Sequence, residues 1–172
     1  MAVLVGYATA NGSTRGVAEA ITASIKRSGE DVDIRPLGET TSVAGYRACV
    51  FGSAIHNGQW LTEASEAIER LSTDLRGRTV WAFSVSSVGT TSTFLSPLLA
   101  RGLRRATPEP RAVATLRSTA RVRDHRFFAG AIAPGDWPGT GRIVFRMMGG
   151  HYGDARDWHD IDNWAADICA NL

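Results

Sequence analysis

Lysine is nearly missing from this chain: Lys26 is the only one among nineteen basic side chains. A triphosphate-binding loop of the form GxxxxGK[ST] is therefore excluded near the N-terminus, where the other signs of an anion site lie. Cysteine is almost as scarce. Cys49 and Cys169 are far apart and no CxxC occurs, which excludes a dithiol redox motif and a zinc ribbon. Both are expected to be free buried thiols. No apolar run reaches the roughly 18 residues of a membrane span. The opening "MAVLVGYAT" has no basic n-region and no cleavage site, so it reads as a buried strand and a cytoplasmic location is expected. GxGxxG does not follow that strand, which removes a dinucleotide fingerprint. Neither a nucleophile elbow, nor a Ser-His-Asp arrangement, nor a helix-turn-helix is evident, so no nucleic-acid partner is expected. Repeats, low-complexity tracts and linkers are also missing. The 172 residues read as one domain with one sizeable core.

The charge that is present is unevenly spread. Eight arginines lie between Arg101 and Arg126, opposed only by Glu109 and Asp124. From His151 onward the balance reverses, with Asp154, Asp157, Asp160, Asp162 and Asp167 against Arg156. With lysine so rare, part of the arginine excess reflects coding bias and carries no function. His151, Asp154, Asp157 and His159 invite a metal reading. Their spacing matches no strong ligand motif and they abut a helix start, where acids are favoured by the dipole, so no metal is expected.

Apolar periodicity orders the elements. "AVLVGYA", "ACVFGSAI" and "TVWAFSV" are near-continuous apolar runs, as strands covered on both faces would be. "DVDIRPL" reads as a strand ended early by Pro36, and "RFFAGAIA" as the last strand. Helical spacing predicts helices over Thr14 to Lys26, Thr62 to Leu75, Phe94 to Leu103 and Trp158 to Ile168. Strands alternating with helices imply right-handed crossovers and a parallel sheet. Five strands imply a doubly wound sheet of order 2-1-3-4-5 with helices on both faces. Ligands on such sheets sit beyond the carboxyl ends of the strands. That rule gathers three loops, "TANGST", "HNGQW" and "SSVGTTST". Two stretches read as insertions, at about 107–125 and 134–157, and loops of that length are usually functional or disordered.

"TANGST" opens directly into a helix. Thr9, Asn11, Ser13 and Thr14 offer side-chain donors, and Gly12 allows a tight turn. Such a nest suits one compact phosphate, with no cation required, and Arg15 is expected to face solvent. The alternative is an ordinary Ser/Thr-capped turn.

"VGYATANGSTRGVAEAI" resembles the phosphate signature of the flavodoxin family almost position by position, through Tyr7, Thr9, Gly12, Thr14, Ala18 and Ile21. Gly6 departs from it, because a large apolar residue is usual there, and weaker packing under the strand is expected. "FGSAIHNGQW", "WAFSVSSVG", "RFFAGAIAP" and "RIVFRMMGGHYGDARDW" are similar to the flavodoxin-domain, menaquinone-dependent protoporphyrinogen dehydrogenases. The resemblance covers nearly the whole chain except about 107–124. It implies a flavodoxin-like fold and FMN as cofactor. By position, Thr9, Ala10, Asn11, Gly12, Ser13 and Thr14 would hold the phosphate. Ser53, Ala54, Ile55, Asn57 and Gly58 would run under the isoalloxazine, with Ser84, Ser86, Ser87 and Gly89 on its other side. The Asn57–Gly58 peptide would flip to meet reduced N5 and so set the potentials. Trp60 would either stack on the ring or pack in the core, with Phe94 a weaker stacking candidate. His56 would either relay a proton or sit in solvent.

Function divides accordingly. The resemblance implies an oxidoreductase acting on protoporphyrinogen IX, an apolar, partly anionic substrate, in haem biosynthesis, with electrons passing to a quinone at the membrane. Arginines could pair with its propionates. "GRIVFRMMGG" as a helix would set Arg142 and Arg146 beside Ile143, Val144 and Met147. That suits docking at the inner face of the membrane, a substrate pocket, or packing on its own domain. A flavodoxin electron carrier is the main alternative, although a formal charge of +2 would steer the usual basic partners poorly. A relative acting on another substrate or with a deazaflavin, and a module that has lost flavin, are the others.

Overall fold

The computed structural model describes residues 1–133, 135–136, 143, 146–147 and 149–172. In chain order the elements are β1 (Val3–Ala8), α1 (Ser13–Arg27), β2 (Val32–Pro36), β3 (Ala48–His56), β4 (Gln59–Trp60), α2 (Thr62–Arg70), β5 (Thr79–Ser86), α3 (Pro97–Ala106), α4 (Arg111–Thr119), β6 (Arg121–Ala129), β7 (Ala131–Ile132), β8 (Gly153–Asp154) and α5 (Trp158–Ala170). The main sheet runs β2-β1-β3-β5-β6 and every pair along it is parallel. This is the expected 2-1-3-4-5 order of the five long strands. β4 folds back on β3 as a hairpin, and β7 pairs with β8 apart from the main sheet.

The apolar runs do what their period dictates. Successive strand residues face opposite sides. Val3 and Val5 of β1, Val50 of β3 and Trp81, Phe83 and Val85 of β5 meet α1 and α5 on one face. Leu4, Cys49, Phe51, Val80 and Ala82 meet α2 and α4 on the other. Both faces are sealed, so β1, β3 and β5 tolerate almost no polar side chain in their middles. Cys49 is fully buried there, and burial pushes its thiol up to about 12, which leaves it unreactive.

Three expected boundaries move. The helix expected from Phe94 begins at Pro97, because the residue before a proline is pushed away from helical geometry; Phe94 and Leu95 are buried ahead of it. α2 ends at Arg70, and Leu71 and Leu75 remain buried in the turns that follow. β6 begins at Arg121, five positions before the expected Arg126. It is the edge strand, and Arg121, Arg123 and Asp124 are exposed, which hid the alternation.

The stretch at 107–125 is a structural correction. It was expected as an insertion, yet it holds α4 and the first half of β6. α4 buries Ala112, Val113 and Leu116 against the α2 side of the sheet, so it covers a face that would otherwise be wet. The other helix of this crossover, α3, fully buries only Ala100. The amphipathic reading of "GRIVFRMMGG" falls on Arg142 and Val144, outside the described residues; Ile143, Arg146 and Met147 are exposed. Among the described residues, no helix is long and apolar enough to cross a membrane.

Gly6 and Gly52 are filled from outside. A Cβ on Gly6 would meet Leu37 at 2.7 Å and Phe51 at 2.9 Å, so the expected weakness under β1 is made good by those two side chains. A Cβ on Gly52 would lie 2.0 Å from the Phe83 ring, which packs edge-on against Trp164. Gly52→Ala is therefore expected to destabilise the protein by about 1–3 kcal/mol through overpacking, read as a lower urea midpoint with an unchanged m-value.

Candidate functional site

Four loops meet at the carboxyl edge of the sheet and enclose a cleft of about 550 Å³. The first is the turn between β1 and α1. Gly12 has φ 84°, and its N–H donates to Thr9 Oγ1 at 2.9 Å, which closes the turn. α1 begins at once. The N–H groups of Ser13, Thr14 and Arg15 precede the first intrahelical bond, from Gly16 N to Gly12 O, and no acid occupies the first turn. Ser13 Oγ accepts from the Ala131 N–H at 2.8 Å, which leaves its own proton to donate. Thr14 Oγ1 is buried with no hydrogen-bond partner. Arg15 points away and pairs with Glu19 at 2.8 Å, both half-exposed or more. The result is a cradle of neutral donors under a helix dipole, which fits one phosphate-sized anion.

The second loop is the β3–β4 hairpin. Asn57 (φ 50°) and Gly58 (φ 75°) both lie in the left-handed region, as a two-residue hairpin turn requires. His56 and Gln59 face each other across it. Gln59 Oε1 accepts from the N–H of Arg111 at 2.8 Å, which ties the hairpin to the start of α4. His56 is exposed and lines the cleft with Ala54, Ile55 and Asn57.

The third loop follows β5. Ser86 Oγ bonds the backbone of Val88 in both directions, and Ser87 lines the cleft beside it. A second cavity of about 420 Å³ adjoins the first and shares Ile55, Ser86 and Ser87 with it. Gly58 and Gly89 line this second cavity, together with Val88, Leu103, Arg104 and Phe127. Gly89 is a close-approach glycine: a Cβ there would lie 2.3 Å from the backbone N of Ala129.

The fourth loop, after β6, was missed. Gly130, Ala131 and Ile132 line the cleft with Val85 and Asp136. The edge rule that gathered the other three loops applies to it equally, so the signal was present. Gly130 packs against Ser13 and leaves no room for a side chain.

Of the expected cofactor residues, Thr9, Ala10, Asn11, Ser13, Thr14, Ala54, Ile55, Asn57, Ser86 and Ser87 share the main cleft. Gly12 sets the turn and lines neither cavity. Gly58 and Gly89 line the second cavity, and the remaining three, contrary to expectation, line neither. Trp60 is a core residue, 3% exposed, and its Nε1–H donates to Ser84 Oγ at 2.8 Å. Ser84 is fully buried and also touches His125 Nε2 at 2.8 Å. Ser53 is fully buried; its Oγ accepts from the Leu61 N–H at 3.0 Å and donates to Ala54 O. None of the three lines either cavity. Phe94 is also buried, edge-on to His151. Asp154 grips Arg156 and Asp157 caps α5 through the Asp160 N–H, so both carboxylates are engaged locally.

Fold and cleft together define a doubly wound α/β protein with a cradle of unpartnered donors at its first crossover. A family model described as "Flavodoxin domain" matches residues 4–151, and the chain belongs to that family. Among curated proteins no sequence matches. Among solved structures the chain is similar to oxidised flavodoxin 2 from Bacillus cereus, at 17% identity and TM-score 0.64, with 100% of each chain covered. It is also similar to a Fusobacterium nucleatum flavodoxin bound to flavin mononucleotide, at 12% identity and TM-score 0.59, covering 99% of this chain and 98% of that one. A flavodiiron protein from Giardia intestinalis aligns at 16% identity and TM-score 0.52, over 98% of this chain and 37% of that one. At these identities the likeness is one of fold.

The Thr14 hydroxyl gives a direct test of the cradle. Thr14→Val keeps the shape and removes a buried polar atom that has no internal partner. The ligand-free protein is expected to keep its stability or gain up to about 1 kcal/mol, whereas a Thr→Val change at a satisfied site such as Thr22, bonded to Ala18 O, is expected to lose stability. Urea unfolding of the two variants side by side checks this.

Proposed function

We propose that this chain is an FMN-binding redox protein, and that it acts as an oxidoreductase on an apolar, partly anionic substrate of the protoporphyrinogen kind. The observation that carries the cofactor reading is the unpartnered, buried Thr14 hydroxyl among free helix N–H groups. A terminal phosphate would answer these donors, with no lysine or arginine in the set. FMN, when bound, supplies one- and two-electron chemistry. The residues of this chain at Thr9–Thr14 would hold its phosphate, and Ser86, Ser87 and the β3–β4 hairpin would flank the rest of it in the cleft. His56, at the rim, is placed to take or return a proton.

The second cavity supports an enzyme over a simple carrier. It opens beside the cleft, is lined by Val88, Leu103 and Phe127, and has Arg104 on its wall. Arg104 is held there by Nε donation to Gly89 O at 2.7 Å. An apolar ring system with a carboxylate suits that lining. The electron acceptor in this reading is a quinone at an anionic membrane surface. Exposed Leu98, Ile143 and Met147, with Arg101, Arg105 and Arg146 in the same two segments, support such an approach.

Paired titrations with FMN and riboflavin, followed by flavin fluorescence, test the cofactor. FMN is expected to bind more tightly than riboflavin. Thr14→Val is expected to weaken FMN about tenfold or more, the loss of a hydrogen bond to a charged group, and to leave riboflavin unchanged. Equal affinity for the two flavins would remove the phosphate assignment. Anaerobic addition of protoporphyrinogen to the loaded protein then tests the substrate: bleaching of the flavin band supports the dehydrogenase, and an unchanged band points to an electron carrier.

A further inference from the structure

A chain of buried polar groups runs beneath the β3–β4 hairpin, outside both cavities. Trp60 Nε1–H donates to Ser84 Oγ, Ser84 touches His125 Nε2 at 2.8 Å, and His125 Nδ1 lies 3.4 Å from Glu109 Oε1. Glu109 in turn accepts from Arg117 Nε through both oxygens, at 3.0 Å each. The first three members are almost wholly enclosed: Trp60 is 3% exposed, Ser84 is 0%, and the His125 side chain is 4%.

Ser84, His125 and a carboxylate have the order of a hydrolytic triad, but the serine has no access. It is sealed between Trp60 and His125 and lines neither cavity. The arrangement therefore serves geometry and not nucleophilic attack.

Counting protons fixes its state. The Trp60 indole is donor-only, so Ser84 Oγ must accept from it. Ser84 then has one proton to give, and the group within reach is His125 Nε2. That nitrogen must be an acceptor, so His125 is neutral with its proton on Nδ1, directed at Glu109. A proton on Nε2 would aim two N–H donors at one hydroxyl and leave the serine proton without an acceptor in a sealed site.

We infer that Ser84, His125 and Glu109 are positioning residues for the Asn57–Gly58 turn, which they hold through Trp60 while His125 is neutral. Trp60 and Gln59 form the return strand of the hairpin, and the turn sits two residues from the indole. Gln59 is held by the Arg111 N–H at the start of α4. The turn thus enters the cleft on an arm clamped at two adjacent residues. Its bearing on the cofactor rests on reading the cleft as the flavin site; the relay itself does not.

The charged groups facing His125 are Glu109 and Arg117 from the α4 side and Asp124 from its own strand; β5 presents Ser84, β4 presents Trp60, and the Phe127 ring lies 4.6 Å away. Burial lowers the His125 pKa below its ordinary value of about 6.5, against the pull of Glu109. The sign follows. The unfolded chain takes up a proton near pH 6.5 and the folded chain only at lower pH. The stabilisation is complete above about pH 6.5 and is lost as pH falls toward the folded value.

The test uses the full chain without cofactor. The Trp60 indole N–H is followed by ¹H–¹⁵N NMR, assigned through Trp60→Phe, as pH is lowered, together with the His125 ring resonances. The two are expected to titrate with one shared midpoint, below 6.5, in folded protein. Glu109→Ala is expected to speed hydrogen exchange of the Trp60 N–H about tenfold, the scale of one net hydrogen bond. Glu109→Gln keeps an acceptor for Nδ1–H and is expected to behave as wild type; the Glu109 side chain is 34% exposed, so both variants should fold. A Trp60 resonance that stays fixed while His125 titrates, or a Glu109→Ala variant that exchanges at the wild-type rate, overturns the inference. In FMN-loaded protein the flavin potential should change its pH slope at the His125 midpoint. Failure to load FMN would defeat the cofactor reading alone, because the NMR arm still decides the relay.

Discussion

Everything in this protein hangs on one constraint: a parallel sheet buried on both faces. Such a sheet has no room for chemistry in its interior, because α1 and α5 seal one face and α2 and α4 the other. It also ends all its strands at one edge. The loops that leave that edge inherit both the freedom to carry polar groups and the proximity to use them together. The cleft follows from connectivity before any particular residue is considered. What the individual residues decide is which ligand it suits. Gly12 turns the chain within one residue, α1 starts at once, and the first helical N–H groups converge where no acid competes for them.

The same constraint explains which parts of the molecule were readable from the sequence. β1, β3 and β5 must be apolar on both sides, and such runs stand out. β6 has only one neighbour strand, so its residues near Arg121 need not be apolar, and charged side chains keep its edge from pairing with another chain. It therefore reads as loop until Phe127 and Phe128. With the strand start misplaced, α4 lost its role as a crossover helix and looked like extra material. The arginines between Arg101 and Arg126 added to that impression, yet Arg117 serves Glu109, Arg104 holds the Gly89 carbonyl and Arg126 pairs with Asp160. Arginines of this stretch are expected from the sequence to pair with substrate propionates, while several of them secure their own fold.

The candidate site was readable where backbone geometry carries it and unreadable where burial does. "TANGST" and "NG" have a spacing that dictates shape, and the structure brings both to the cleft. The resemblance puts Ser53 and Ser84 at the flavin and leaves Trp60 between ring and core, but a strand alternates. Ser84 faces the α2 and α4 side with Ala82, whereas Phe83 and Val85 face the other. Only from Ser86, at the end of β5, does the chain escape the sheet. A serine within a buried strand has two readings, ligand contact or internal partner, and sequence alone does not show whether another chain segment supplies that partner. Here Trp60 and His125 do.

That partnership gives the hairpin a property that its turn residues lack. Asn57 and Gly58 accept left-handed backbone angles at low steric cost, and a peptide between two such residues has little to hold it in one orientation. Rigidity has to come from outside the turn. β4 is two residues long, too short to fix the hairpin by pairing alone. The indole of Trp60 supplies the anchor, because it is large, buried and carries a single donor that must be answered. The answer is a hydroxyl whose own proton must be answered in turn, and each demand passes one step further outward until it reaches a carboxylate held by Arg117 at the surface. The turn at the cleft is thereby set on a stem that Trp60 anchors in the core.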